Sequence, residues 1–234
     1  MALPKIATPI YETNLISTEK TVSFRPFLVK EQKLFLMAAQ SDDAKEVVNT
    51  IKQVLNNCIL SEDVKVNSLP VFDLEHLFLQ IRARSVGEVV NLNYTCNNDV
   101  PDEENKGTKK CNGTVKIDLN LLEIQPTKNP AHSNKIELTD KLGIMMKYPN
   151  FDMIQKINLQ NESDLLDVVI ACIDFIYDED QVYYAKDTSK KELEEFIENL
   201  QQTDMEKIQT FFQTMPKLSK KVNFNVVNAV IVKT

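Results

Sequence analysis

Two histidines and four cysteines are the residues with the most chemistry to offer in this 234-residue chain. His76 falls among Leu74, Leu77, Phe78 and Ile81, which trace the apolar stripe of a helix expected over 72–84. With Gln80 and Arg84 it repeats at i, i+4, i+8, a spacing that assigns all three to the opposite, polar side. His132 lies in a segment containing Pro126 and Pro130. Both histidines read as surface residues, and neither has a sequence neighbour that would make it a general base. There is no G-x-S-x-G, P-loop, dinucleotide fingerprint or H-E-x-x-H. No enzyme is expected.

Cys96 and Cys111 flank a polar tract between two strand-like runs. A structural zinc site needs about four ligands, usually in close pairs such as C-x2-C, and no two cysteines here are close in sequence. Two readings stay open. Either strand pairing brings two plain thiols near each other, or the pair is the remnant of a zinc knuckle in a small ribbon module completed by other ligands. Cys58 and Cys172 sit among apolar residues and read as core. The acidic stretch Asp174–Asp187 lacks the glycine of a calcium loop and reads as a turn before Val182-Tyr183-Tyr184.

The elements that would position these residues follow from periodicity. Tyr11, Leu15, Val22, Phe24 and Phe27, broken by Ser17-Thr18-Glu19-Lys20, predict a strand pair over 9–27. From Val29 the pattern turns helical, with Leu34, Met37 and Ala38 on one face. A second helix is expected over 43–57 behind an N-cap at Ser41-Asp42, with Val47, Ile51, Val54 and Leu55 inward. The third, over 72–84, ends at Gly87, read as a left-handed helix terminator. Val89–Tyr94 and Val115–Leu119 read as an antiparallel ribbon joined by an exposed polar loop, 97–112. Ile136–Leu138 reads as a short strand, and Leu142, Ile144, Met145 and Met146 as an apolar cluster closed by Tyr148-Pro149.

The C-terminal third reads as helical. Leu165, Val169, Ile173 and Ile176 recur at helical spacing. Leu193–Leu200 follows a capping box at Ser189 and Glu192, and Met205–Phe212 follows one at Thr203 and Glu206. Val222, Phe224, Val226, Val230 and Val232 alternate like a final strand. The expectation is an α+β protein with about six amphipathic helices and short antiparallel strands near the N-terminus, in the middle and at the C-terminus. It would form one unit over 1–234, or two packed lobes divided near 85–135.

The formal charge of −7 with no basic stripe argues against nucleic acid. Met1–Lys5 lacks the pattern of a signal peptide, and no apolar run approaches the roughly 20 residues of a membrane span. A reducing compartment is expected.

Longer strings carry a resemblance. Leu3-Pro4-Lys5-Ile6, Phe24-Arg25-Pro26-Phe27-Leu28-Val29-Lys30-Glu31, Leu69-Pro70-Val71-Phe72-Asp73-Leu74-Glu75 and Ile81-Arg82-Ala83-Arg84-Ser85-Val86-Gly87-Glu88 occur in order. Gly143-Ile144-Met145-Met146-Lys147-Tyr148-Pro149, Cys172-Ile173-Asp174-Phe175-Ile176-Tyr177-Asp178 and Met215-Pro216-Lys217-Leu218 follow. Together they resemble the baseplate hub subunit, or hub assembly catalyst, family of T4-like contractile-tailed bacteriophages. The resemblance implies a structural or assembly role exercised through contacts with other baseplate and tail proteins, with a homo-oligomer or ring as one arrangement. It implies residence in the virion tail baseplate, or in the host cytoplasm during assembly, with no cofactor and no membrane insertion. Family members often carry a close cysteine pair near the C-terminus, and no cysteine follows Cys172 here. Phe27, Tyr148 and Tyr184 are the aromatic residues expected at the interface.

Overall fold

The computed structural model describes residues 6–41, 43–102, 107–156 and 162–223. A hairpin opens the chain, β1 (Tyr11–Asn14) against β2 (Thr21–Phe24), with Tyr11 opposite Phe24. Three helices follow: α1 (Val29–Ala38), α2 (Ala44–Cys58) and α3 (Val71–Val86). Next comes a ribbon, β3 (Val89–Thr95) paired with β6 (Thr114–Asn120), carrying a second hairpin of β4 (Asp99–Asp102) and β5 (Gly107–Lys110) at its far end. A 3-10 turn over Leu121–Glu123 leads to β7 (Pro126–Thr127), β8 (Lys135–Glu137) and β9 (Gly143–Met146). The remainder is α4 (Phe151–Lys156), α5 (Glu162–Ala171), β10 (Ile173–Tyr177), β11 (Val182–Tyr184), α6 (Lys190–Glu198), α7 (Gln202–Thr214) and β12 (Lys217–Leu218). The α+β expectation holds, with seven helices and several small antiparallel sheets among the described residues.

Three apolar clusters organise these elements. The first joins the hairpin, α2 and one side of α3 through Val22, Phe24, Leu55, Leu77 and Ile81. The second lies under a four-stranded antiparallel sheet of order β11-β10-β9-β8, covered by α5, α6 and α7 through Ile144, Ile170, Ile173, Ile197 and Ile208. The third, Ala83, Leu121 and Ile124, packs beneath the foot of the ribbon.

Several local expectations change. Asp43, not Ser41 or Asp42, caps α2, accepting the Lys45 N–H at 2.8 Å. Met37 points outward on α1, where only Ala38 of the predicted stripe is buried. Gly87 ends α3 at φ 140°, ψ 150°, an extended positive-φ conformation that L side chains rarely adopt, and not the left-handed helical one. The span 97–112 is largely exposed, as read, but the loop contains β4 and β5, tied by Lys109–Asp102 and Lys110–Asp99 ion pairs. The Ser189–Glu192 capping box forms. The Thr203–Glu206 box does not, because α7 begins earlier, after Gln201.

Ile173 and Ile176 lie in a strand, not on a helix. The helix stops at Ala171, and 173–177 is a β-branched and aromatic run, Ile-Asp-Phe-Ile-Tyr. Its register with β9 shifts between Ile173 and Phe175. That bulge turns two isoleucines three residues apart toward the same core, and so imitates a helical spacing. Of the expected final strand, Val222 is exposed and unpaired with any strand, and Phe224, Val226, Val230 and Val232 lie outside the described residues.

Gly143 stands opposite Tyr177 in the β9–β10 ladder, and a Cβ there would run into the Tyr177 ring. Gly143→Ala is expected to cost about 1–3 kcal/mol by overpacking. Chemical denaturation should show a smaller cost in a Tyr177→Leu background; an equal cost would place the strain elsewhere.

Candidate interaction surface

The strings that could present a surface are held from behind by buried polar groups. Arg25 leaves β2, and its Nη2 donates to Glu31 Oε1 at 3.0 Å while Nη1 donates to the Pro26 carbonyl at 2.9 Å. Glu31, in the first turn of α1 and 0% exposed, also accepts the Leu28 N–H at 2.8 Å. Burial pushes the Glu31 carboxyl up, but the Arg25 bond, the Leu28 N–H and the charges of Arg25 and Lys30 outweigh it and hold the carboxyl below its ordinary value. The Phe27 N–H donates to Ser85 Oγ at 2.9 Å, tying the corner to the last turn of α3. Phe27 is therefore half-buried, edge-on to Phe35 at 5.6 Å, and closes the first core more than it faces outward.

α3 buries groups on both sides. Asp73 accepts the N–H groups of Ile16 and Ser17 at 2.9 and 3.2 Å, fixing the hairpin turn on the helix. His76, read from sequence as a surface residue, is 0% exposed, and Gln80 is buried as well. The missed signal is a second stripe, Phe72, His76, Leu79 and Ala83, at i, i+4, i+7, i+11 on the side away from Leu74 and Leu77. His76 Nε2 bonds Thr13 Oγ1 at 2.9 Å, and Nδ1 makes no well-formed bond. Burial lowers the His76 pKa, against the opposing charge of Asp73.

Tyr148 rivets the first core to the second. Its ring meets Phe72 of α3 edge-on at 5.0 Å and stacks near Phe211 of α7 and His132, at 5.8 and 5.5 Å. Thr214 Oγ1 donates to the Thr210 carbonyl at 2.6 Å, so its lone pair takes the His132 Nδ1–H at 2.9 Å. His132 Nε2 is left to accept the Tyr148 hydroxyl at 3.0 Å. The loop histidine is thus a half-buried joint, its pKa lowered by burial and by the charge of Lys128. Nearby, the Val71 N–H donates to the Pro149 carbonyl, and Lys52 of α2 pairs with Asp152 of α4. Tyr148 is accordingly half-buried as well.

Cys96 directly follows β3 and Cys111 directly follows β5, where the two hairpins meet. The Cys96 N–H bonds the Gly113 carbonyl and the Cys111 N–H the Asn98 carbonyl, both at 2.8 Å. Cys96 is buried and Cys111 half-buried. Among the described residues no group of three or more Cys, His, Asp or Glu side chains is placed to hold a metal ion. Cys58 and Cys172 are core thiols, pushed up by burial to about 11 and about 12.

What faces outward is apolar in patches. Tyr184 lies with Val182 and Tyr183 on the sheet's edge strand β11, all three exposed. Tyr184 rests edge-on against Phe175 at 5.7 Å with Lys186 over its ring. Val29, Leu36 and Met37 expose one side of α1. Leu166 and Val168 of α5 and Met205 and Phe212 of α7 line an open groove of about 550 Å³. No helix is long and apolar enough to cross a membrane among the described residues.

A scaffold of tied corners with apolar patches outside agrees with one sequence comparison. The model of the T4 bacteriophage base plate protein family matches residues 8–228. The chain belongs to that family. Comparison with curated proteins and with solved structures gives no match. Membership makes this base plate protein a phage structural component, and it covers the corner, the joint and the ribbon alike.

Two predictions follow from the base plate protein's polar groups. Arg25→Met leaves buried Glu31 with only the longer, exposed Lys30 pair at 3.5 Å and is expected to cost up to about 3–5 kcal/mol, with Arg25→Met/Glu31→Met recovering much of it in denaturant titrations. The second concerns pH. Both histidines have folded pKa values below the unfolded value of about 6.5. Their neutral forms are favoured by the fold, so their contribution is complete above about pH 6.5 and is lost as pH falls toward the folded values. Denaturation between about pH 5 and 7 should show stability rising with pH, and His76→Gln/His132→Gln should flatten that slope.

Proposed function

We propose that this base plate protein is a structural or assembly subunit of the tail hub, acting through protein–protein contacts and making no covalent change in its partners. The family match over residues 8–228 carries the reading. Support comes from the shape of the surface. Apolar patches lie on α1, on β11 and between α5 and α7, and the corner before α1 is anchored by the buried Glu31 carboxylate, which suits pre-organised docking there. The net charge of −7 favours protein partners with basic rims and disfavours DNA. The edge strand β11 can add to a partner's sheet, with Tyr184 as an aromatic anchor.

Quantitative mass spectrometry of finished particles beside assembly intermediates tests this. A fixed copy number in finished particles is expected of a hub subunit, and presence confined to intermediates is expected of an assembly factor. Absence from both would overturn the reading. Tyr184→Ala should leave the folded protein's melting temperature within a few degrees while reducing its incorporation.

A further inference from the structure

The sheet of order β11-β10-β9-β8 has two edges, and the chain treats them differently. On β8, the Leu138 N–H reaches the Leu142 carbonyl and the Met146 N–H the Asn134 carbonyl, with Ile136 opposite Ile144 between them. Hydrogen-bonded pairs alternate along an antiparallel ladder, so Lys135 and Glu137 turn their backbone groups away from the sheet. Side chains cover the outward carbonyls. Ser133 Oγ donates to that of Lys135 at 3.0 Å, and Lys207 Nζ donates to that of Glu137 at 2.9 Å. This edge is closed to another strand.

The β11 edge is open. The Asp178 N–H bonds the Gln181 carbonyl and the Ala185 N–H bonds the Asp174 carbonyl, so Gln181, Tyr183 and Ala185 face β10. Val182 and Tyr184 therefore turn their N–H and C=O groups outward. The Tyr184 carbonyl is taken by the Asp187 N–H at 3.0 Å and the Thr188 hydroxyl at 2.9 Å. The Tyr184 N–H and both backbone groups of Val182 meet no partner among the described residues. An edge left this way is a template for a further strand.

We infer that β11 pairs antiparallel with β11 of a second copy about a two-fold axis at Val182, joining two sheets into one. The inference rests on the reading of β11 as a docking edge and names its occupant. The free backbone groups select the register. Centred on Val182, each Val182 N–H meets the carbonyl of the other Val182, and each Tyr184 N–H meets the carbonyl of Asp180 in the turn before the opposite strand. Centred on Tyr183, the Val182 N–H would need the Tyr184 carbonyl, which is already bound twice. Charge selects the same occupant. Asp180 and Lys186 are exposed at opposite ends of β11, and Lys186 Nζ lies over the Tyr184 ring at 5.3 Å. In the two-fold pairing Tyr184 stands beside Asp180 of the second copy, so Lys186 of each copy faces Asp180 of the other. One strand thus carries both halves of an isologous contact.

Analytical ultracentrifugation of the full chain over a concentration series tests the inference. The wild type should pass from monomer to dimer as concentration rises. Val182→Pro removes an outward N–H and no bond to β10, a change an edge strand tolerates. It should raise the dimer dissociation constant about tenfold or more, with the melting temperature unchanged within a few degrees. Asp180→Lys and Lys186→Glu should each weaken the dimer roughly two- to tenfold, and Asp180→Lys/Lys186→Glu should restore it, which a general loss of fold could not do. A monomer at every concentration would overturn the inference. If Tyr184→Ala still lowered incorporation into particles in that case, the edge would take a different chain, and the reading of β11 as a docking strand would stand without this occupant. A dimer that survives Val182→Pro and both single charge reversals would overturn the inference as well, since the copies would meet elsewhere.

Discussion

The burial of α3 on both sides is the constraint on which the rest of the structure depends. Leu74, Leu77 and Ile81 face the first core, while Ala83 faces the cluster under the ribbon and Phe72 meets the joint with the second core. A helix so placed cannot leave its polar residues to solvent, and each must find an internal partner or stay neutral. Asp73 holds the hairpin turn, His76 reaches Thr13, and Ser85 receives the corner before α1. The N-terminal hairpin is thereby fixed in orientation as well as in position, since a rotation of α3 would break bonds to residues more than fifty positions away in the chain.

The polar corner illustrates what such groups contribute. A buried Arg–Glu pair is not in general more stabilising than well-packed apolar residues, because desolvation offsets its attraction. Here Glu31 is bound by Arg25 and by the Leu28 N–H at once, and satisfying it selects one geometry for the strand-to-helix corner. The Tyr148 joint works by shape. Its ring touches a helix of each core, and the His132 tautomer that Thr214 selects leaves one acceptor for its hydroxyl. Both devices hold surface elements still, which suits a structural component of the base plate.

Much of the local structure was legible because it is written at short range. The first hairpin, the run of α1 to α3, the ribbon pair and the Ser189 cap all follow from alternation, helical spacing and capping chemistry. The misreadings have separate causes. His76 was assigned to a polar face because a helix was pictured with one wet side, and α3 has a second apolar stripe that includes it. Ile173 and Ile176 were read as helical because a bulge shifts a strand's period from two to three. Phe27 and Tyr148 were expected at the interface, and both are half-buried, packed against other aromatic rings.

Composition, periodicity and ordered strings by themselves determined the α+β class, most helices and strands, the lack of any standard catalytic motif and the family resemblance, because these are properties of neighbouring residues or of word order. Only the tertiary structure decided which polar residues are buried, which aromatic residues rivet the two cores, that Cys96 is buried and Cys111 half-buried where the two hairpins meet, and that Tyr184 alone of the three expected interface aromatics stands exposed. Those outcomes depend on contacts between residues far apart in sequence, whose burial is set by what packs against the other side of each element.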